Sequence, residues 1–338
     1  MKRSISAFLT VILLSSLFAA SGCALFSVKV PTKYSNADKY TAGNAEFEGT
    51  VDSLSVYWLY GSVTVKSHKE STVKISETAN RELNDTFSLH WRYYNASDYG
   101  DVLYIYYSAS GNFDFGDLQK DITVYIPEND EMSITVYSET AYVDLDMSGF
   151  ENTMESLYIL SNGGKVSAKI DCADEVRISG QNEDNVPEAN REFLLRANEI
   201  YDIGISASYA RLDVAAEYIH SGEVGTVFND LLFHADKIKR IKLQNSNGKT
   251  IATVRDFDSI DIETFEGATE LTLSPDASFE LTLKEKDRFN HKVSPKSVSV
   301  EFDGVKQDGL KYTVGSADKK LTVATDSTLR IIPLPTEG

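Results

Sequence analysis

A chain of 338 residues with 51 acidic and 33 basic side chains, and a formal net charge of −18, can form a large core under a strongly acidic surface. Such a surface repels phosphate backbones, which argues against nucleic acid as a partner. Two cysteines are too few for a disulfide framework, so packing alone has to stabilise the fold.

The amino-terminal residues have the pattern of a bacterial export signal. Lys2 and Arg3 precede a short apolar run over residues 5–20, and small residues lead to Cys23. The run is shorter than the roughly 20 apolar residues of a membrane-spanning helix, although an uncleaved anchor is the alternative. We therefore predict a lipoprotein signal peptide over residues 1–22, lipid attachment at Cys23, and localisation at the outer side of a bacterial cell membrane. Since anionic headgroups repel an acidic chain, the lipid is the expected membrane link.

After Cys23, the polarity pattern predicts a tether and then strands. Residues 23–45 lack periodic apolar side chains and are expected to be the tether. From residue 46 onward, Val, Ile, Thr, Tyr and Leu alternate with polar residues, and Gly, Asn and Asp recur at short intervals. We divide this part into an amino-terminal β region, residues 46–147, and a β-repeat region, residues 148–338, which we expect to be continuous with each other.

A fourteen-residue unit recurs in the β regions, with large aliphatic residues at positions one and three and mostly aliphatic residues at ten and twelve. Six copies begin at Leu54, Ile134, Leu157, Ile203, Ile241 and Ile260, and a seventh, one residue shorter, begins at Leu321. Position eight is always small, and its residues are Gly61, Ala141, Gly164, Ala210, Gly248 and Gly267. The small residue allows the backbone to bend or to approach a neighbour closely.

The unit is typical of a strand, a turn and a second strand that faces the same core. Similar units about 20 residues apart indicate coils stacked as an all-β, solenoid-like array, and the interval between Ile203 and Ile241 has room for one degenerate coil. The alternative is an antiparallel β-sandwich in which each window is one hairpin. For the segment 187–200, a helical turn and an edge strand are both open.

Several stretches make the chain similar to a known family. They are NADKYTAGNAEFEG (36–49), KDITVYIPEND (120–130), SITVYSETAYVDLD (133–146) and the segment 311–332. Together they resemble the DUF4097 family, whose members are described as proposed adhesins. The resemblance implies an all-β array of repeated strands and provides no catalytic residues.

The sequence contains no recognisable catalytic motif. There is no G-x-S-x-G, no phosphate-binding loop and no histidine pair at metal-ligand spacing. Cys172 lies beside Asp171, which opposes a thiolate, and is expected to be buried and inert. We therefore predict a non-enzymatic protein without cofactor or metal, with a structural or adhesin-like role and an envelope protein or glycan as a possible partner.

Tyrosine is abundant, and three residues define a possible binding face. In the strand-like runs LHWRYY and DVLYIYY, Tyr94, Tyr104 and Tyr106 are expected to point away from the core. Outward aromatic rings suit sugar stacking or protein binding, but they also stabilise cross-strand pairs. The alternative function is therefore a carbohydrate- or ligand-binding lipoprotein that uses this tyrosine-rich face.

Overall fold

The computed structural model describes residues 30–97, 100–128, 132–149, 153–181, 192–288, 291–293 and 299–335, without the side chains of 181, 286–288 and 291–293. The predicted signal peptide and Cys23 lie outside these residues. The described chain is almost entirely β, as predicted, with one short 3-10 turn at Ala37–Lys39. In that part of the chain, no helix is long and apolar enough to span a membrane.

The described residues form 25 strands, numbered in chain order. Strands β1–β8 are Thr41–Ala42, Ala45–Glu48, Ser53–Trp58, Gly61–His68, Thr72–Ala79, His90–Ala96, Gly100–Tyr106 and Lys120–Pro127. Strands β9–β17 are Ser133–Ser138, Tyr142–Met147, Thr153–Ser161, Val166–Gln181, Glu192–Ser208, Arg211–Val227, Leu231–Ser246, Thr250–Phe265 and Thr269–Leu273. Strands β18–β25 are Phe279–Leu283, Lys286–Arg288, His291–Val293, Ser299–Phe302, Val305–Gln307, Lys311–Val314, Lys319–Thr325 and Thr328–Pro333.

The central strands stack in parallel as coils of constant length. Leu212 pairs with Leu231, and Leu231 pairs with Thr250, 19 residues further on in each case. Because the shift is constant, each inward position meets its equivalent in the next coil. The repeat windows therefore stack in register, as Ile241 on Ile260 and Ile260 on Leu321 show. This parallel pairing between coils confirms the solenoid-like prediction and excludes the sandwich of antiparallel hairpins.

Each central coil has three sides. In β15, the inward residues are Leu231, Phe233 and Ala235 on the first side, Ile238 on a short second side, and Ile241 and Leu243 on the third side, all at most 2 % exposed. Inward residues have odd numbers on the first and third sides and an even number on the second side. Because side chains alternate along a straight strand, this change requires bends near residues 236 and 239. Burying an aliphatic side chain of this size contributes about 1.5–3 kcal/mol, so the stacked ladders provide most of the stabilisation.

The first and third sides of the coils form two hydrogen-bonded faces that run along the whole array, whereas the short second side is paired among the central strands. The first face has the order β2-β5-β8-β4-β10-β12-β13-β14-β15-β16-β17-β25-β21-β22. The second face has the order β1-β6-β7-β3-β9-β11-β12-β13-β14-β15-β16-β24-β18-β23. Each long strand from β12 to β16 contributes to both faces. Strands β9 and β10, before residue 148, pair with β11 and β12, which follow it. Strand pairing therefore joins the two β regions on either side of that residue.

Both ends of the array depart from chain order. The coil formed by β3 and β4 lies between the coil of β7 and β8 and the coil of β9 and β10. At the other end, β24 and β25 lie between the coil of β16 and β17 and the strands β18 and β21. Antiparallel strands then cover the outermost parallel strands at each end. Such covering leaves short antiparallel strands as the outermost ones, and short edge strands discourage pairing with another chain.

Residues 30–40, which we call the strap, lie against the array although the sequence placed them in the tether. Val30 is 2 % exposed, and its N–H donates to Glu139 Oε2 at 3.1 Å. Thr32 accepts a hydrogen bond from the Gly111 N–H at 2.9 Å. The strap thus crosses the turns that follow β9, β3 and β7, and it holds three successive coils together.

The structure describes part of the segment 187–200. Residues 187–191 lie outside the described chain. Residues 192–200 belong to β13, which pairs with β12 on one side and β14 on the other. They therefore form an interior strand, and the expectations of a helical turn or an edge strand are wrong for this portion.

Candidate functional site

The three predicted tyrosines lie at the amino-terminal end of the second face. Tyr94 and Tyr104 are on the adjacent strands β6 and β7, and their ring centroids are 6.2 Å apart. The Arg92 guanidinium lies 4.2 Å from the centroid of Tyr94. Tyr106 is not part of this group but belongs to a longer stack. The structure therefore places all three residues on one face of β6 and β7, with Tyr94 stacked on Tyr104 and Tyr106 stacked on Tyr57 and Tyr34.

Tyr106 is one ring in a ladder of four, which we call the tyrosine stack. Its ring is 4.5 Å from that of Tyr57 at an interplanar angle of 6°, and Tyr57 is 4.9 Å from Tyr137 at 3°. On the other side, Tyr34 of the strap lies 3.9 Å from Tyr106. Burial raises the pKa of Tyr57 and Tyr106 well above the usual range, so both hydroxyls remain protonated near neutral pH.

The stacked geometry limits what these rings offer to a ligand. Parallel rings less than 5 Å apart cover each other's faces, and only their edges and hydroxyls remain for solvent. A sugar needs an open face. The stack therefore stabilises neighbouring coils, and Tyr34 of the strap forms one end of it by covering the outer face of Tyr106.

Sequence reasoning missed Tyr34, Tyr57 and Tyr137 as members of this cluster. A usable signal was present for two of them, because Tyr57 and Tyr137 both occupy position four of their repeat windows and pair in register. Tyr34 has no such signal, since its place depends on contacts with residues more than 70 positions away.

The small residues of position eight lie where one coil turns into the next. Ala141 and Ala210 are fully buried. A Cβ atom on Gly164 would lie 2.9 Å from the Ala141 carbonyl oxygen, and one on Gly267 would lie 1.9 Å from that of Gly248. Both distances are shorter than a normal contact, so these positions lie directly against the preceding coil.

The residue before position eight has a left-handed backbone in four successive coils. Its N–H donates to a carbonyl of the next coil in three of them, for example from Asn247 to Phe265 at 2.9 Å. Left-handed geometry is unusual for bulky side chains, so the inter-coil hydrogen bond has to hold it in place. The four residues are Tyr209, Phe228, Asn247 and Glu266.

A buried ion pair lies beneath the strands at the amino-terminal end. The fully buried Lys120 ammonium is 3.0 Å from Glu77 Oε2 and donates to the carbonyl oxygens of Phe87, at 2.7 Å, and Tyr107. The rings of Trp58 and Tyr107 also face it. Burial lowers the pKa of Lys120 to about 8, although the Glu77 carboxylate acts in the opposite direction. The pair connects β5 to the outermost parallel coil.

A polar groove of about 220 Å³ crosses β12, β13 and β14 near the first bend. Alanines form its floor, and charged residues of both signs form its walls. These charged residues are Lys169, Asp171, Arg196, Glu217 and Asp236, and His234 also lines the groove. Arg196 is paired with Asp213 at 2.8 Å, and Asp236 with Arg255 at 3.1 Å, so much of this charge is compensated within the array.

Other candidate reactive groups show no catalytic arrangement. Within the described residues, no group of three or more His, Cys, Asp or Glu side chains is placed to hold a metal ion. Cys172 is partly exposed rather than buried as expected. Burial, followed by the Glu199 and Asp171 carboxylates, raises the pKa of its thiol, which keeps it protonated and weakly reactive.

Comparison with known proteins finds no matching family model and no match among curated proteins. Solved structures similar to this chain include a proposed cell adhesion protein from Clostridium sporogenes, at 12 % identity and a TM-score of 0.29, covering 87 % of this chain and 100 % of that one. A proposed adhesin from Parabacteroides merdae has 10 % identity and a TM-score of 0.45, with coverage of 87 % and 96 %. Another, from Bacteroides fragilis, has 8 % identity and a TM-score of 0.36, with coverage of 86 % and 96 %.

Proposed function

We propose that this protein is a lipid-anchored extracytoplasmic interaction protein. The β array has a non-enzymatic structural or adhesin-like role, and a lipid on Cys23 holds it at the outer side of a bacterial cell membrane. Its membership of the DUF4097 family is part of the same proposal and is supported by the motifs at 36–49, 120–130 and 133–146.

The observation that carries the proposal is the continuous array with both ends covered. Each face has fourteen strands spaced about 4.8 Å apart, which makes a rod roughly 60 Å long. Because antiparallel strands cover the parallel edges, the rod displays its sides rather than its ends. A long, regular and acidic surface of this kind suits contact with an envelope protein or glycan, as in other repeat proteins.

A competition experiment tests the interaction role. The mature chain from residue 24, which keeps the strap, is immobilised and exposed to separate protein and glycan fractions of the cell envelope. We expect saturable binding that soluble folded chain displaces and heat-unfolded chain does not. Absence of competable binding in both fractions, or chemical turnover of any component, contradicts the proposal.

A further inference from the structure

We infer that the strap is a force-sensitive latch. A pull on the chain from its amino-terminal side detaches residues 30–36 before any coil unfolds and uncovers the end of the tyrosine stack at Tyr106. The source of the pull rests on the proposed function, because a lipid on Cys23 would attach the membrane only seven residues before Val30.

The strap is held by separate contacts rather than by a strand ladder. Val30 inserts into the core beside Glu139. Tyr34 makes three hydrogen bonds of 3.0 Å: its N–H donates to Ser110 Oγ, its carbonyl accepts from the Ser110 hydroxyl, and its own hydroxyl donates to the Ser108 carbonyl. A pull from residue 30 therefore loads these contacts one after another.

The coils beneath resist the same force far better. Of the strands that the strap crosses, β3 pairs with β7 at five positions and with β9 at six, and inward residues such as Leu54 and Ile105 are fully buried. Local opening starts where few contacts hold a segment, and by that criterion the strap opens first. Asn36, with a left-handed φ of 55°, precedes the 3-10 turn and marks where peeling would stop, since β1 pairs with β6 soon after it.

Release would create a specific recognition surface. It frees the face of Tyr106 that Tyr34 now covers at 3.9 Å, together with the Ser108 carbonyl, the Ser110 hydroxyl and the Gly111 N–H. Tyr40, which lies beyond the released residues, keeps its edge contact with the Tyr106 ring at 5.6 Å. In the closed state these groups bind the strap, an extended segment whose aromatic side chain is Tyr34.

Single-molecule pulling tests the latch without lipid or partner. Mature protein carrying Cys172→Ser is held by the native Cys23 thiol and by its carboxyl terminus. We expect a reversible step at low force, before the main unfolding event. Its length gain should be at most about 25 Å, the reach of seven extended residues.

Two variants and one control assign that step. Tyr34→Ala should shift the step to lower force or remove it, and Ser110→Ala, which loses two of the hydrogen bonds, should weaken it less. Tyr201→Ala alters an exposed tyrosine outside the strap and should leave the step unchanged. The latch is overturned if the strap detaches only when the coils unfold. It is also overturned if neither Tyr34→Ala nor Ser110→Ala changes the low-force step. Either result leaves the envelope-binding test of the proposed function unaffected.

Discussion

In the six windows that begin at Leu54, Ile134, Leu157, Ile203, Ile241 and Ile260, a methyl group is the largest side chain at position eight. The structure gives a reason at the glycines, because each of them lies against the backbone of a neighbouring coil. Gly164 has a φ of 106° and faces the Ala141 carbonyl, and Gly267 faces the Gly248 carbonyl. A branched side chain at either position has to displace backbone and not a flexible side chain.

We predict that Gly164→Val and Gly267→Val each lower the free energy of unfolding by about 1–3 kcal/mol. Gly204→Val is the matched control, since the three atoms nearest to its Cβ would all belong to the flexible Arg177 side chain. Thermal and urea unfolding of the purified variants measures the effect. Unchanged stability at both valine positions would show that the close approach has no energetic importance.

The buried Lys120 predicts an unusual alkaline dependence. Its pKa of about 8 in the folded protein is below the roughly 10.4 of an unfolded lysine. Between these values the unfolded chain binds more protons, so the free energy of unfolding should rise with pH. We expect a gain of about 1–2 kcal/mol between pH 7 and pH 9.5 relative to the double variant Lys120→Met/Glu77→Gln.

The double variant is needed because tyrosines titrate nearby with the opposite effect. Burial raises the pKa of Tyr57, so stability is lost when unfolded tyrosines ionise at about pH 10. The variant keeps these tyrosines, and the difference between the two proteins isolates the ion pair. Parallel pH curves would contradict the prediction. Lys120→Met alone should cost about 3–5 kcal/mol at pH 7, because it leaves Glu77 buried without its cation.

At the scale of elements, the coil is the unit of stability. The register places Leu212, Leu231 and Thr250 in one ladder, and residues 228–230 turn the chain in the same way as 247–249. Removing one whole coil therefore brings β14 directly onto β16 with every inward position matched. Removing part of a coil does not.

We predict that deletion of residues 231–249 gives a folded protein with a cooperative unfolding transition, and that deletion of 231–240 does not. The second deletion removes ten residues and brings unlike positions into register, which places polar side chains inside. Circular dichroism, gel filtration and melting curves compare the two. Equal behaviour of both deletions would mean that the 19-residue register is unimportant.

The sequence was sufficient to predict the stacked coils, because Ile203, Ile241 and Ile260 recur with the alternation that places them in register. The degenerate coil expected between 203 and 241 is present, with Gly222 at its first position. Another coil, starting at Val176, was missed because residues 182–191 interrupt its pattern. The strap was missed for a different reason. Val30 and Tyr34 are held by long-range contacts, which have no local period.

At the scale of the whole molecule, the signal sequence makes one prediction that the described residues do not address. The variant Cys23→Ala, exported and freed of its signal, should move from the membrane fraction to the soluble fraction. The reason is that an acidic surface has no attraction for anionic lipid. Fractionation with and without detergent measures it, with the wild-type chain as control. Retention of the variant in detergent-requiring fractions would point to a second attachment.

The position of β24 and β25 inside the carboxyl-terminal end has a consequence for biogenesis. Their slot lies between β16 and β18 on one face and between β17 and β21 on the other. A growing or partly exported chain has made the walls of this slot before it has made the residues that fill it. Until 319–333 arrive, the unpaired strand edges of the walls are open to wrong partners, including each other. A segment that is made late therefore has to insert between strands made earlier, which is a different task from adding one more coil at the tip.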